Sequence, residues 1–206
     1  MLNIAVFASG RGSNTRAILE NIDRGKIRAR ISVIISNKRD AGIFDIARER
    51  KIQHRYLNPS EFDSEQEYTS AVLSVLDEHD VTLIILAGYL KKIPSTIVAQ
   101  YRNRMMNIHP ALLPAFGGKG MYGIHVHRAV IEYGAKITGA TVHFVDEEYD
   151  HGPIILQKPV EVRDDDTPES LSKRVLQIEH SIYSEAVALF AAGRLTIDDR
   201  KVYVEQ

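Results

Sequence analysis

The chain has 206 residues, 44% of them hydrophobic, which suits one domain with a sizeable core and argues against wholesale disorder. Its 26 basic and 27 acidic residues leave a formal net charge of -1, so neither a nucleic-acid surface nor a membrane-binding face is expected. There is no cysteine, which excludes disulfides, thiolate zinc sites, iron–sulfur clusters and cysteine nucleophiles.

Met1–Phe7 is apolar but short, lacks a basic n-region and runs at once into Ser9-Gly10. It reads as a strand and not as a signal peptide. No apolar run approaches membrane-spanning length, so the expected location is the cytoplasm. Leu2–Ala8 is the first buried strand. Asn14–Arg24 follows as a helix, with Ala17, Ile18 and Ile22 at helical spacing and Gly25 as a stop. Ile31–Ile35, Ala41–Arg50 and Gln53–Leu57 read as strand, helix and weak strand. Ser64-x-x-Glu67 fits a capping box and opens a helix striped by Tyr68, Val72, Val75, Leu76 and His79. Thr82–Leu86 is a continuous apolar run, as a parallel strand covered on both faces requires. A short helix after Pro94 leads to the strand that carries Asn107 and His109.

This alternation predicts an α/β fold: an open, mostly parallel, Rossmann-like sheet with helices on both faces. Its ligands should lie beyond the C-terminal strand ends, at Ser9–Asn14, Ala87–Ile93 and the segment after Asn107. From Ile137 the pattern changes. Ile137–Val145 and Pro153–Val162 read as antiparallel strands added in the C-terminal part. Thr167-Pro168 starts a long helix with Leu171, Val175, Ile178, Ile182, Ala186 and Leu189 as its buried stripe, ended by Gly193. Leu195–Val204 reads as a hairpin-like tail around Asp198-Asp199.

Asn107 and His109 stand two apart on a strand and therefore share a face, and Pro110 stops the ladder. An amide donor beside an imidazole suits polarising a carbonyl and moving its proton. A polar strand end that merely caps the sheet is the plainer reading. The loop Ser9-Gly10-Arg11-Gly12-Ser13-Asn14 brings glycines and a helix N-terminus to one place, which suits an anion. Thr15 stands where a dinucleotide fingerprint needs a third Gly or Ala, and Ser36-Asn37-Lys38 lacks the acid at the end of the second strand. A single phosphate monoester therefore fits better than a dinucleotide; a tight turn before a helix is the alternative.

Gly117-Gly118-Lys119-Gly120 lacks the Ser/Thr and the strand–helix context of a P-loop and reads as a flexible flap. His125-x-His127 has the spacing of a metal pair on a strand. Without supporting carboxylates it reads instead as the start of a helix or a binding-loop pair, and no metal is expected. Asp146-Glu147-Glu148 reads as solvated surface. Asp150 differs, because Gly152-Pro153 forces a turn after it, and a carboxylate near an imidazole would raise the imidazole pKa. Glu179 lies at the edge of the long helix's buried stripe and reads equally as an amine ligand or as surface.

Taken together, the motifs resemble the phosphoribosylglycinamide formyltransferase family, the folate-dependent transformylases of purine synthesis. The resemblance covers essentially the whole chain. It rests on Ala8-Ser9-Gly10-x-Gly12-Ser13-Asn14, Ile35-Ser36-Asn37, Leu86-Ala87-Gly88-Tyr89, Asn107-Ile108-His109-Pro110-Ala111-Leu112-Leu113-Pro114, Gly139–Val145, Asp150-x-Gly152-Pro153-Ile154 and Gln177-Ile178-Glu179-His180. It implies formyl transfer from 10-formyltetrahydrofolate to a glycinamide amine in purine synthesis. It further implies Asn107, His109 and Asp150 as the catalytic trio, with His109 held protonated by Asp150. Gly12, Ser13 and Asn14 would take the substrate phosphate, and Glu179 the glycinamide end. Leu90, Lys91, Lys92 and Ile93, with Asn107 and with Asp146, Glu147, Glu148, Tyr149 and Asp150, would line the folate pocket.

A cis bond at Leu113-Pro114 is also implied. Two departures stand out: Glu65 follows Phe62-Asp63-Ser64 where many members carry a folate-contacting Arg, and the flap Phe116–Gly123 is long. Gly123 and His125 are carried over from that region. The expected organisation is a single formyltransferase domain, 1–206, with a phosphate-binding parallel half (1–110) and a folate-pocket and C-terminal helix half (111–206). Partners are expected to be small molecules, with no nucleic acid and no membrane, in a monomer or homodimer. The alternatives are another folate formyltransferase or a formyltetrahydrofolate hydrolase, both of which add a further domain for which 206 residues leave no room, or a non-catalytic folate or nucleotide sensor.

Overall fold

The computed structural model of the chain describes residues 1–205 and divides it after Met106 into two compact units. In the first unit, β1 (Leu2–Phe7), β2 (Ala29–Ser36), β3 (Gln53–Tyr56) and β4 (Leu83–Leu86) lie in the order β3-β2-β1-β4, with every pairing parallel. Ile4, Val6, Phe7, Ile34, Ile35, Leu83 and Ile85 are wholly buried. That explains why these strands read as unbroken apolar runs and not as alternations. The intervening helices are α1 (Ser13–Asp23), α2 (Ile43–Glu49), α3 (Glu65–Glu78) and α4 (Ser95–Gln100).

The strand order reverses between β1 and β4. The chain steps outward from β1 to β2 and β3, then returns to lay β4 on the other side of β1, pairing Phe7 with Leu86. Such a reversal opens a crevice at the C-terminal strand ends, where open α/β sheets hold ligands. The loops leaving β1 and β4, residues 8–12 and 87–94, both start there.

α3 begins as its sequence predicts. The Ser64 hydroxyl accepts from the Glu67 N–H at 3.1 Å. The Glu67 carboxylate, however, accepts from the Asp63 N–H at 3.0 Å, one residue before the cap. Glu65 is exposed in the first turn, where a negative charge suits the helix dipole.

β5 (Met105–His109) spans the division. The second unit then contains α5 (Ile124–Tyr133), β6 (Ile137–Phe144), β7 (Ile154–Glu161), α6 (Pro168–Ala191), β8 (Leu195–Asp198) and β9 (Lys201–Val204). β6 and β7 pair antiparallel, as do β8 and β9, while Ile154 of β7 pairs parallel with Lys201 of β9. The expected α/β class, with parallel strands first and antiparallel strands added in the C-terminal part, is what the chain adopts.

α6 carries the expected cap. Thr167 and Ser170 exchange side-chain–backbone bonds at 3.2 and 3.0 Å, and Pro168 fills the first position. α5 is a helix that the sequence reading reduced to a start at His125. Val126 and Val130, one turn apart, are its buried stripe, and left-handed Gly134 stops it. No helix among the described residues is long and apolar enough to cross a membrane.

Candidate active site

β5 ends in Asn107 and His109, and both side chains reach Asp150. Asn107 Nδ2 lies 3.4 Å from Asp150 Oδ1, and His109 Nδ1 lies 3.5 Å from Asp150 Oδ2. Asp150 sits in a left-handed backbone conformation, with φ 54, which few residues other than glycine adopt cheaply; Asp and Asn are among the exceptions. The turn after it is forced by Gly152, where any Cβ would collide with the Phe144 carbonyl oxygen. The Leu113-Pro114 bond is cis, as the resemblance implies.

Three further groups of the second unit join this cluster. His143, 2% exposed on β6, places Nε2 at 3.1 Å from Asn107 Nδ2 and 3.8 Å from Asp150 Oδ1. Its Nδ1–H donates to the Phe144 carbonyl at 2.7 Å, so in the neutral ring Nε2 accepts from Asn107. The Gly118 N–H donates to Asp150 Oδ2 at 2.9 Å, and His109 Nε2–H donates to the Phe116 carbonyl at 2.8 Å. Phe116 is itself left-handed, and a Cβ on Gly117 would crowd Leu113 and Asp150. The glycine flap is thus not a P-loop, and its backbone supplies both a donor and an acceptor to the site.

His143 has a sequence signal: alternation on β6 puts it on the face of Thr141, which donates to the Ala111 carbonyl just past β5. The flap contacts are backbone groups and carry none.

Burial sets the charge of His109. Removal from water pushes its pKa down. Asp150 and the Phe116 carbonyl push it up, His143 pushes it down again, and the net lies below the ordinary imidazole value. The expectation that Asp150 keeps His109 cationic is therefore corrected. Asp150 acts in the expected direction, but burial outweighs it, and at neutral pH the ring is neutral with Nδ1 open to a proton. For Asp150, burial pushes the carboxyl up, but His143, His109 and the Gly118 N–H together hold it below its ordinary value.

His127, on α5, is 2% exposed, and its Nδ1 has no hydrogen-bond partner. Burial, reinforced by His109, brings its pKa down to about 4. The folded state then binds fewer protons than the unfolded state between that value and the ordinary one. Stability is full above about pH 6.5 and falls as the pH drops toward 4, by about 2 kcal/mol after allowance for solvent screening. Urea unfolding at neutral and acid pH should show this loss, and His127→Leu should flatten it. An unchanged slope in the variant would place the acid sensitivity elsewhere. No group of three or more His, Asp or Glu residues among the described residues is arranged to hold a metal ion.

The predicted phosphate loop lies in the first unit. Gly12, the residue before α1, is left-handed (φ 75, ψ 32), and a Cβ there would meet the Ile43 side chain at 2.9 Å. Glycine is required twice over, by conformation and by space. No side chain caps α1, and a helix start of this kind suits an anion. Ser13 is exposed and Asn14 buried. In the other predicted loop of this unit, Leu90, Lys91 and Lys92 are exposed, whereas Ile93 is buried and anchors the loop.

In the second unit, Glu179 is half-buried on α6. The 146–151 turn exposes Glu147, Glu148 and Tyr149. It is held by Asp146 against His151 Nδ1 at 2.7 Å, and by Arg200 donating to the His151 carbonyl at 2.7 Å. The C-terminal hairpin thus braces the turn that carries Asp150.

The model of the family described as formyl transferase matches residues 2–187. The chain is 45% identical to a chloroplastic phosphoribosylglycinamide formyltransferase of Arabidopsis thaliana, over 93% of this chain and 66% of that one; it spans under two thirds of that relative's length. It is 35% identical to the phosphoribosylglycinamide formyltransferase of Escherichia coli (strain K12), over 99% of this chain and 94% of that one. The crystal structure of glycinamide ribonucleotide transformylase 1 from Symbiobacterium toebii superposes with a TM-score of 0.93 at 40% identity, covering 100% of this chain and 95% of that one.

Proposed function

The chain belongs to the formyl transferase family, and from that premise we propose that it transfers a formyl group from 10-formyltetrahydrofolate to the amine of phosphoribosylglycinamide, a step of de novo purine synthesis. The observation that carries this reading is the convergence of Asn107, His109 and Asp150 in one buried cluster. Pure binding does not need a base, a carboxylate and an amide donor on one point. The names of the relatives support the substrates.

In this reading residues 1–206 act as one formyltransferase domain, a monomer or homodimer in the cytoplasm, whose partners are small molecules. Gly12, Ser13 and Asn14 hold the substrate phosphate at the uncapped start of α1, and Glu179 meets the glycinamide end. Leu90–Ile93, Asn107 and residues 146–150 hold the folate. No metal takes part.

The amine attacks the formyl carbon, and a tetrahedral oxyanion forms. Asn107 is the donor toward that charge. Its two amide protons face His143 at 3.1 Å and Asp150 at 3.4 Å, and the longer contact is the one to be released. Neutral His109 accepts the proton lost by the amine, and Asp150 stabilises the imidazolium as it forms. The same proton then serves the leaving nitrogen of the folate.

Purified protein, glycinamide ribonucleotide and 10-formyltetrahydrofolate should yield tetrahydrofolate in a one-to-one ratio with formylated ribonucleotide. Tetrahydrofolate and free formate, formed without the ribonucleotide, would point instead to the hydrolase.

A further inference from the structure

Ser9 is the last residue before the Gly10–Asn14 loop, and it is 4% exposed. Its hydroxyl donates to Asn37 Oδ1 at 2.5 Å and accepts from the Leu90 N–H at 2.9 Å. Its own N–H donates to the Gly88 carbonyl at 3.0 Å. Asn37, the residue after β2, is 7% exposed. One buried side chain therefore ties together the chain ends leaving β1, β2 and β4, at the place where the strand order reverses. On its other side the 87–94 loop is held by Tyr89, whose hydroxyl lies 2.9 Å from that of Tyr68 and whose ring packs edge-on against Phe7. Leu90, Lys91 and Lys92, just past these anchors, are exposed.

We propose that Ser9 is a positioning residue that couples the phosphate loop Gly10–Asn14 to the Leu90–Ile93 loop, so that filling one substrate subsite orders the other. The inference rests on the reading that these loops take the ribonucleotide phosphate and the folate. A hydroxyl has one proton to give and lone pairs to receive one, so Ser9 can serve Asn37 and Leu90 only in this single orientation. Any shift of the chain at Ser9–Gly10 on phosphate binding moves the acceptor of the Leu90 N–H. The Ser9 hydroxyl transmits that shift, because it is buried and leaving it unpaired there is costly. Asn37 fixes the rotor and makes the coupling directional.

The test uses the intact protein and two ligands that do not react with each other, glycinamide ribonucleotide and tetrahydrofolate. Tetrahydrofolate is titrated calorimetrically with and without saturating ribonucleotide. In the wild type its affinity should rise about fivefold or more when the ribonucleotide is present, the lower end of ordinary coupling between sites. In Ser9→Ala the factor should fall to about 1, with affinity for the ribonucleotide alone changed by less than about threefold. Ser9→Thr keeps the hydroxyl and should restore the coupling. Should Ser9→Ala fail to fold, Asn37→Ala, which frees the rotor, should at least halve the factor.

A merely structural serine would lower both affinities and leave the factor intact, and that result would overturn the proposal. So would a wild type without coupling. A wild type that binds neither ligand would instead sink the assignment of the two loops. Turnover by the wild type with coupling retained in Ser9→Ala would leave that assignment standing and remove only the role of Ser9.

Discussion

His109→Ala should lower turnover by about 10²–10⁴, the usual worth of a general acid–base group. Affinity for glycinamide ribonucleotide should change little, because its phosphate is assigned to Gly12–Asn14. The size follows from what the ring does in this cluster. It is a buried base whose Nδ1 lies beside a carboxylate, 3.5 Å from Asp150. Alanine also leaves the Phe116 carbonyl without its 2.8 Å donor, so the flap should loosen and KM for the folate should rise as well.

The pH profile separates base from acid. Because burial lowers the His109 pKa, the neutral ring predominates at neutral pH and is lost only as the pH falls below the ordinary imidazole value. If neutral His109 is the base, kcat/KM should fall on acidification through that lowered pKa, and the alanine variant should lose this limb. A rate that rises on acidification would mean that the cation is the active form. Near-wild-type turnover in His109→Ala would remove the residue from the mechanism.

Much of this was legible in the residues. The two-residue spacing of Asn107 and His109 puts both on one face of β5, but that this face meets Asp150 is a tertiary contact. Thr167-Pro168 and the Asp198-Asp199 turn carry their own local chemistry, so α6 and the β8–β9 hairpin fall where the sequence puts them. What escaped the reading is tertiary. Phe116 and Gly118 act through backbone groups, which look the same in every residue. The parallel contact of Ile154 with Lys201 joins segments far apart in the chain. The net charge of His109 depends on how much water the fold removes, and that outweighs the one neighbour whose effect could be foreseen. For α5 the sequence offers only a helix start at His125, because the glycine-rich flap before it leaves a short buried face of Val126, His127 and Val130.

Asp150→Asn should lower turnover by about 10²–10⁴ and leave the fold intact, since in the proposed mechanism this carboxylate steadies the charge on the base, His109. The substitution isolates charge from shape. Asparagine tolerates the left-handed backbone at φ 54 as well as aspartate does, so no new strain enters. The amide oxygen can still accept from the Gly118 N–H. Its NH2 must then face Asn107 Nδ2, donor against donor, where the carboxylate oxygen stood at 3.4 Å. Asn107 is left with a poorer partner just where the proposed mechanism has it polarise the formyl oxygen. The imidazolium that forms at His109 loses the anion beside its Nδ1. The His109 pKa, already below its ordinary value, should fall further, because the main force raising it is gone while burial remains. NMR titration of His109 in both proteins reads this directly, and ribonucleotide affinity serves as the control. A His109 pKa that does not move would mean that Asp150 acts on the turn or the flap and not on the base. A variant with normal turnover but a lowered pKa would mean that the imidazolium is never formed in the rate-limiting step.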